Sequence, residues 1–592
     1  MITKRLLPIV LLAACSDPPT TEPSTTPPPP WGVPVSGGNL LISADGKRAV
    51  AADPDRDRIV TVDLASGNVI SDLALQPNDE PGRLIEDAAG RVHVALRRGG
   101  ALVTIDSTGQ VLGRRAVCAE PRGVAFDSTS DSIHVACATG ELVTFPAAGG
   151  EATRALRLER DLRDVVLINN EMFVTRFRTA EVLKLDAAGA IVSRVAPPKT
   201  QRVDFNTFNE ETGDNNVDAI PAIAYRAVAH NGSLVMLHQR QVDKELGTVE
   251  TGGYGGGCGG ESGPVEPAVT VRSSTGSVRA VAPAFFGALP VDMAVSPSGD
   301  QFAVVLAGSQ EVRQLRAGFL PGEDHDPCPF DNGTNDAGPR INDHLGTPTS
   351  VAFAPNGMLA IFYPEVPAIA LRTQPGVTEQ IITLPGGFGY DAGRAMFHEQ
   401  TAVGIACASC HPEGREDGLV WKFEFGSRRT QSVAGGILAR APYHWVGDMN
   451  DLPKLMNDVF AVRMAGGATT NSQRLSLGPW LDRIPAPLSA PALDAAQAER
   501  GRVLFESTEL GCVTCHNGAQ LTNNQRVNVG TSGNFKVPSL RGLGARAPFM
   551  HDGCAGTLTE RFTKCGNSEL HGKTAQLDAV QIADLVAYLE TL

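Results

Sequence analysis

The sequence predicts a multidomain chain: an all-β propeller of about seven blades followed by a mainly α tandem unit. Three observations predict it. From Asn39 to Pro385 an apolar-strand, turn, alternating-strand pattern recurs about every 40 residues. After Gly386 the alternation gives way to helical periodicity, clearest in the last hundred or so residues. Two C-x-x-C-H segments, at 407–411 and 512–516, fall within that last third.

The start of the chain reads as an export signal. Residues 1–15, MITKRLLPIVLLAAC, join a basic start (Lys4, Arg5) to an apolar run too short to span a bilayer. The run ends in Leu-Ala-Ala-Cys, which resembles a bacterial lipobox, so Cys15 is the expected lipidated N-terminus. Residues 16–38 are a Pro/Thr-rich tether that cannot pack a core. Ser16 after the Cys favours the outer membrane over inner-membrane retention. The expectation is a lipid-anchored protein of a Gram-negative cell envelope, at the outer membrane or in the periplasm. It meets the membrane through its lipid only, because no other segment is long and apolar enough to cross. A net charge of -14 argues against nucleic acid as a partner.

Residues 39–385 carry the repeats. LLISADGKRAVAADPDRDRIVTVDLASGNVI is the clearest copy, and RLIEDAAGRVHVALRRGGALVTIDSTGQVL repeats it. Turns such as Ala44-Asp45-Gly46 and Pro355-Asn356-Gly357 supply residues that tolerate positive φ between strands. A degenerate copy at 222–284 is broken by the insert GGYGGGCGG. Each repeat is a small sheet that cannot bury both faces alone, so the copies must stack radially. The pattern resembles YVTN/NHL-type β-propellers. His93 and His134 lie in alternating strands and read as packing residues. The loop carrying Asp324, Asp326, Asp331 and Asp336 could hold a hard cation, but reads better as a solvated acidic loop.

Eleven cysteines divide among three uses. One is Cys15 and four belong to the C-x-x-C-H segments. The other six suggest disulfides in an oxidising compartment. Proximity pairs Cys118 with Cys137 and Cys554 with Cys565, leaving Cys258 with Cys328.

The C-x-x-C-H spacing carries the chemistry. Two thiols three residues apart reach both vinyl groups of one haem, and the adjacent histidine faces the iron. Zinc would need four ligands, and each segment offers at most three. Cys407, Cys410 and His411, then Cys512, Cys515 and His516, are therefore expected to hold two covalent haem c groups. A helix precedes the second segment, with Leu493, Ala496, Val503 and Leu504 as its face. A terminal helix closes the chain, with Leu577, Ile582, Leu585, Val586, Leu589 and Leu592 as its stripe.

Residues 386–592 resemble the bacterial di-haem cytochrome c peroxidase family, which includes the di-haem enzyme of methylamine utilisation. The matching segments are GRAMF…CASCHPEGREDG, YHWVGDMNDL, RGRVLFES…GCVTCHNG and VPSLRGLGARAPFMHDG. The resemblance implies two cytochrome c-like domains, 386–490 and 491–592. It implies a first haem that meets hydrogen peroxide, a second that relays electrons, and a Trp between them. Trp445 matches that Trp, although a plain core position is the alternative. Arg463 stands where the family places a Glu before Met-Gly, and an Arg cannot act as an acid–base. His444 is the candidate sixth ligand of the first haem, unless that iron is open; His398 could serve as the acid–base in place of that Glu, but reads better as helical packing. His571, Met550 or an open position completes the second haem. Arg541 and His551 are expected near haem propionates or between the haems. Calcium between the haems is a further cofactor the family suggests.

The reading is a peroxide-dependent di-haem oxidoreductase fed by a redox partner protein or small donor. Two alternatives stay open: a non-enzymatic electron-transfer cytochrome, and a propeller-based binding protein whose haems report redox state.

Overall fold

The computed structural model describes residues 33–203, 216–248, 263–281, 287–317, 340–373, 377–467, 469–565 and 569–592. Seven antiparallel sheets succeed one another along the chain, over 40–74, 81–116, 121–157, 162–195, 200–281, 290–341 and 350–383. These are blades 1 to 7. Six have four strands in sequence order; blade 5 has five. The ring closes where the Asn39 amide donates to Ser350 Oγ at 2.8 Å, joining blade 1 to blade 7.

Burial follows the radial position of each strand. In blade 2 the two middle strands, Val92–Leu96 and Ala101–Ile105, are buried throughout, whereas the rim strand Val111–Ala116 alternates exposed and half-buried residues. Middle strands are covered on both faces by neighbouring blades and therefore read as apolar runs; the rim is solvated. Gly109 shows how tightly the blades approach. It has φ 79°, and a Cβ there would lie 2.3 Å from Ser71 Cβ of blade 1. His93 and His134 are packing residues, as their strand positions suggest. His93 sits 2.9 Å from both Thr104 Oγ1 and Asp87 Oδ2, and His134 Nδ1 sits 2.9 Å from Thr144 Oγ1.

Blade 5 is elongated. Its hairpin, Asn216–His230 with Ser233–Val242, carries the chain out of the ring. Glu245–Leu246 then pairs in parallel with Val420–Phe423 of the helical unit.

That unit contains eight short helices among the described residues: α1 (Ala392–His398), α2 (Cys407–Cys410), α3 (Leu452–Leu455), α4 (Asn471–Arg483), α5 (Ala495–Glu506), α6 (Cys512–Cys515), α7 (Leu558–Thr563) and α8 (Ala579–Leu589). Between α3 and α4, Met456–Arg463 is π-helical. Helix α5 starts at an Asp494 cap and crosses α8 with Gly501 at the contact. Its buried face is Ala498, Gly501 and Phe505. This differs from the face the apolar spacing predicts: Leu493 precedes the helix and is exposed, as is Val503. Only a glycine lets the backbones approach so closely, so the apolar pattern alone misplaces the face by part of a turn. On α8, Leu585 and Leu589 are buried as the periodicity predicts.

The two parts share one apolar core. Val291, Ile361 and Tyr225 of the blades lie in the same cluster as Phe397, Ala408, Met456 and Trp480 of the helical unit. Cys118 pairs with Cys137 and Cys554 with Cys565, as proximity suggests. Cys15, Cys258, Cys328 and the acidic loop of Asp324 to Asp336 lie outside the described residues. Among the described residues no helix is long and apolar enough to cross a membrane.

Candidate functional site

Each C-x-x-C-H segment folds as a single helical turn. In α2, the Ala406 amide donates to Ser409 Oγ at 3.1 Å, and the His411 amide closes the turn onto the Cys407 carbonyl at 2.9 Å. One turn places residues three apart on the same face, so both thiols of each pair point the same way. None of the four thiols is in a disulfide. Burial pushes the Cys407 thiol up to about 12.

The two histidines repeat one geometry. His411 Nδ1 lies 3.2 Å from the Arg415 carbonyl, and His516 Nδ1 lies 3.1 Å from the Leu521 carbonyl. A carbonyl at Nδ1 fixes the tautomer with the proton there and leaves Nε2 for a metal. Burial lowers both imidazoles, His516 to about 4, which keeps them neutral as metal ligation requires.

A cavity of about 430 Å³ opens on α2. Cys407, Cys410 and His411 form one wall; Met456, Phe460 and Arg463 of the π-helical segment form another. Trp445, His444 and Arg440 also line it, as do Lys536 and Arg546 from the second half of the unit. Such a large apolar chamber with a histidine, two thiols and several cations suits a haem and its propionates. His444 is partly exposed and holds Asp448 at 3.1 Å through Nδ1. His398 is buried elsewhere: Nε2 accepts from the Val35 amide at 3.1 Å and Nδ1 lies 2.8 Å from the Arg394 carbonyl. Both its nitrogens are committed, so it is a packing residue and not an acid–base for the first site.

At the second segment His571 faces His516, with ring centres 6.3 Å apart. Two imidazoles on one metal, each with a bond of about 2.0 Å and a further 1.1 Å or so to the ring centre, would be separated by about 6.2 Å. His571 Nδ1 is buried without a hydrogen-bond partner. Burial, then Arg561 and His516, holds this ring well below its ordinary pKa and hence neutral. The ring spacing fits an iron between the two imidazoles.

An internal repeat escapes the apolar pattern of the sequence. Arg440-Ala-Pro-Tyr-His-Trp and Arg546-Ala-Pro-Phe-Met-His adopt the same loop: a cis Ala-Pro bond, an antiparallel bridge (Tyr443 to Met449, Phe549 to Ala555), and a left-handed residue, His444 at φ 65° and Met550 at φ 71°. Met550 is thus the positional counterpart of His444. The loops bring Trp445 and His551 together, ring centres 6.3 Å apart, with Phe535 stacked on His551 at 3.8 Å. Trp445 is buried and donates through Nε1 to the Arg429 carbonyl at 2.7 Å. It therefore lies between the first cavity and the second half of the unit. Arg541 is exposed and donates to the Ala519 carbonyl at 3.4 Å. Among the described residues, the sole cluster spaced for a metal is Cys118, Cys137 and Glu141, whose cysteines are already a disulfide.

Two C-x-x-C-H turns on one helical unit, with a buried Trp between them, form an arrangement suited to c-type haem, packed against a propeller. No protein-family model matches the chain. Hydrazine synthase subunit gamma of Kuenenia stuttgartiensis is 25% identical over 255 residues, covering 32% of this chain and 72% of that protein. Methylamine utilization protein MauG of Methylorubrum extorquens is 32% identical over 123 residues, 16% of this chain and 35% of MauG. Cytochrome c551 peroxidase of Nitrosomonas europaea is 29% identical over 114 residues, 16% of this chain and 33% of that enzyme. The match therefore spans about a third of these last two relatives. Among solved structures, Kuenenia stuttgartiensis hydrazine synthase aligns at TM-score 0.46 and 14% identity, covering 60% of this chain and 99% of that one. Over about a sixth of its length the chain is thus similar to MauG and to cytochrome c peroxidases, and its residues 40–383 form a propeller.

Proposed function

We propose that the chain is an extracytoplasmic, lipid-anchored di-haem c-type cytochrome that moves electrons between two covalent haems and reduces hydrogen peroxide at the first. The observation that carries this is the duplicated turn: two aligned thiols and a neutral histidine whose Nδ1 is tied to a backbone carbonyl. Bound haem c would supply a one-electron couple and, at an open axial position, a place for peroxide.

The residues divide the work. Cys407, Cys410, Cys512 and Cys515 hold the haems; His411 and His516 are the proximal ligands. His571 is the second ligand of the C-terminal haem, supported by the 6.3 Å ring spacing. His444, or no residue, takes the sixth position of the first. Arg463 offers a fixed positive charge to a departing oxygen anion, and Trp445 bridges the two halves. Electrons come from a redox partner protein or a small donor. Cys15 carries the lipid that holds the protein at the cell envelope.

A second reading, electron transfer without peroxide turnover, is favoured by Arg463 itself, which is permanently charged and cannot carry a proton to and fro. Optical and EPR spectra of the holoprotein, before and after peroxide, test both. Rapid spectral conversion of the first haem supports the peroxidase. Two low-spin haems indifferent to peroxide support the second reading.

A further inference from the structure

The segment after His411 is built into the propeller. Glu413 has φ 54° and Gly414 φ 73°, a pair of left-handed residues that turns the Glu413 carboxylate out of the helical unit. It reaches the propeller, 3.0 Å from Arg122 and 2.7 Å from Arg163. These arginines belong to the first strands of blades 3 and 4. One residue further on, Arg415 grips both carboxylate oxygens of Glu120, one at 2.9 Å. Glu416 then pairs with Arg546 at 2.8 Å and Arg429 at 3.2 Å. Most of these side chains are under 10% exposed; Arg415 is the most open, at 23%. The Arg415 backbone carbonyl is the acceptor of the His411 Nδ1 hydrogen bond.

A hydrogen bond at the far nitrogen of a metal-bound imidazole sets its orientation and its basicity, and partners at this remove alter metal sites strongly when lost. Here the acceptor is held by neither helix nor sheet. It sits on a turn tied to the blades through Glu413 and Arg415 and to Arg429 and Arg546 of the helical unit through Glu416, in a low-dielectric interface where bidentate Arg–carboxylate geometry is rigid.

We propose that the propeller forms the proximal half of the first haem site: Glu120, through Arg415, is a positioning residue that holds the carbonyl on His411 and so sets that haem's redox potential. The inference rests on haem c at Cys407 and Cys410, as proposed above. Loosening the grip lengthens the Nδ1 hydrogen bond, makes the imidazole a poorer donor, and favours the reduced iron. The second haem, whose histidine leans on Leu521, is the internal control.

The test is a potentiometric titration of holoprotein, followed optically and by EPR, for wild type, E120Q and R415K. R415K keeps the charge and loses the two-pronged grip, so a shift in it is not a field effect alone. The expected result is a rise in the first haem's midpoint potential worth about tenfold in its redox equilibrium, ~59 mV for one electron. Its EPR g-values change with it, and the second haem's do not. If both variants fold with two haems and the first haem's potential and g-values stay put, the proposal is overturned. Should E120Q fail to fold, R415K decides by the same criteria. A wild type lacking haem c would instead overturn the function proposed above.

Discussion

Replacing Gly501 by alanine should pry apart the helices α5 and α8 that flank the second C-x-x-C-H turn. A Cβ at Gly501 would stand 1.9 Å from the Asp584 carbonyl oxygen, 2.6 Å from its carbon and 2.8 Å from Tyr588 Cβ. Ordinary contact is about 3.5 Å, so α5 and α8 must separate by roughly 1.5 Å, and the obstacle is backbone that cannot swing aside. A gap of even 0.5–1 Å forfeits about a quarter to a half of a contact's attraction. Phe505, Leu585 and Leu589 pack across this crossing. Each is worth about 1.5–3 kcal/mol when buried, so together they lose roughly 1–4 kcal/mol. Alanine's better helix propensity returns about 1 kcal/mol. The net expectation is ~1.5 kcal/mol of destabilisation, with less haem retained at Cys512 and Cys515. Guanidinium unfolding followed by far-ultraviolet circular dichroism and by the Soret band reads it as a lower midpoint at unchanged slope. A Gly501→Ala variant within ~0.5 kcal/mol of wild type would refute this account of the crossing.

Other consequences are equally open to test. Replacing Cys118 and Cys137 by serine opens a loop of sequence separation 19 and should cost about 3 kcal/mol, read by thermal or chemical unfolding. His571→Ala should convert the second haem from low-spin to high-spin in EPR and raise its potential; an unchanged low-spin signal would assign the ligand elsewhere. His398 is held neutral, its pKa lowered to about 3 by burial and then by Arg394. The unfolded chain therefore binds a proton there that the folded chain does not, and stability should fall as pH drops from about 6.5 toward 3. A His398→Gln variant should show a flatter acid limb over that window. Trp445→Phe keeps an aromatic ring but loses the donor to the Arg429 carbonyl; stopped-flow transfer between the haems should slow by at least several-fold.

The propeller was legible because each blade repeats one local pattern, whose copies count to about seven, and seven sheets are observed. Blade 5 was harder: its long hairpin and Gly-rich insert break the spacing, and its pairing with Val420–Phe423 is a contact between distant segments. The C-x-x-C-H turns were legible because haem attachment, as proposed, would fix their spacing within five residues. Their surroundings were not. That His571 faces His516 depends on a fold the linear chain does not display. The face of α5 was misread because Gly501, an apparent break in the apolar stripe, is the point of closest approach. The paired loops at Arg440 and Arg546 share Ala-Arg-Ala-Pro and two flanking left-handed glycines (Gly436 and Gly447, Gly542 and Gly553), a likeness with no apolar period to announce it. The charge pairs from Glu120, Arg122 and Arg163 to residues 413–415 join side chains about 250 to 295 positions apart, invisible to any local pattern.

The central claim is iron porphyrin held by thioether bonds at two turns. Intact-mass analysis with a pyridine haemochrome assay, on protein made with its haem-attachment machinery, tests it directly. The account predicts two haems per chain, each lost singly when Cys407 and Cys410, or Cys512 and Cys515, become alanine. A chain that emerges folded and free of porphyrin would contradict it.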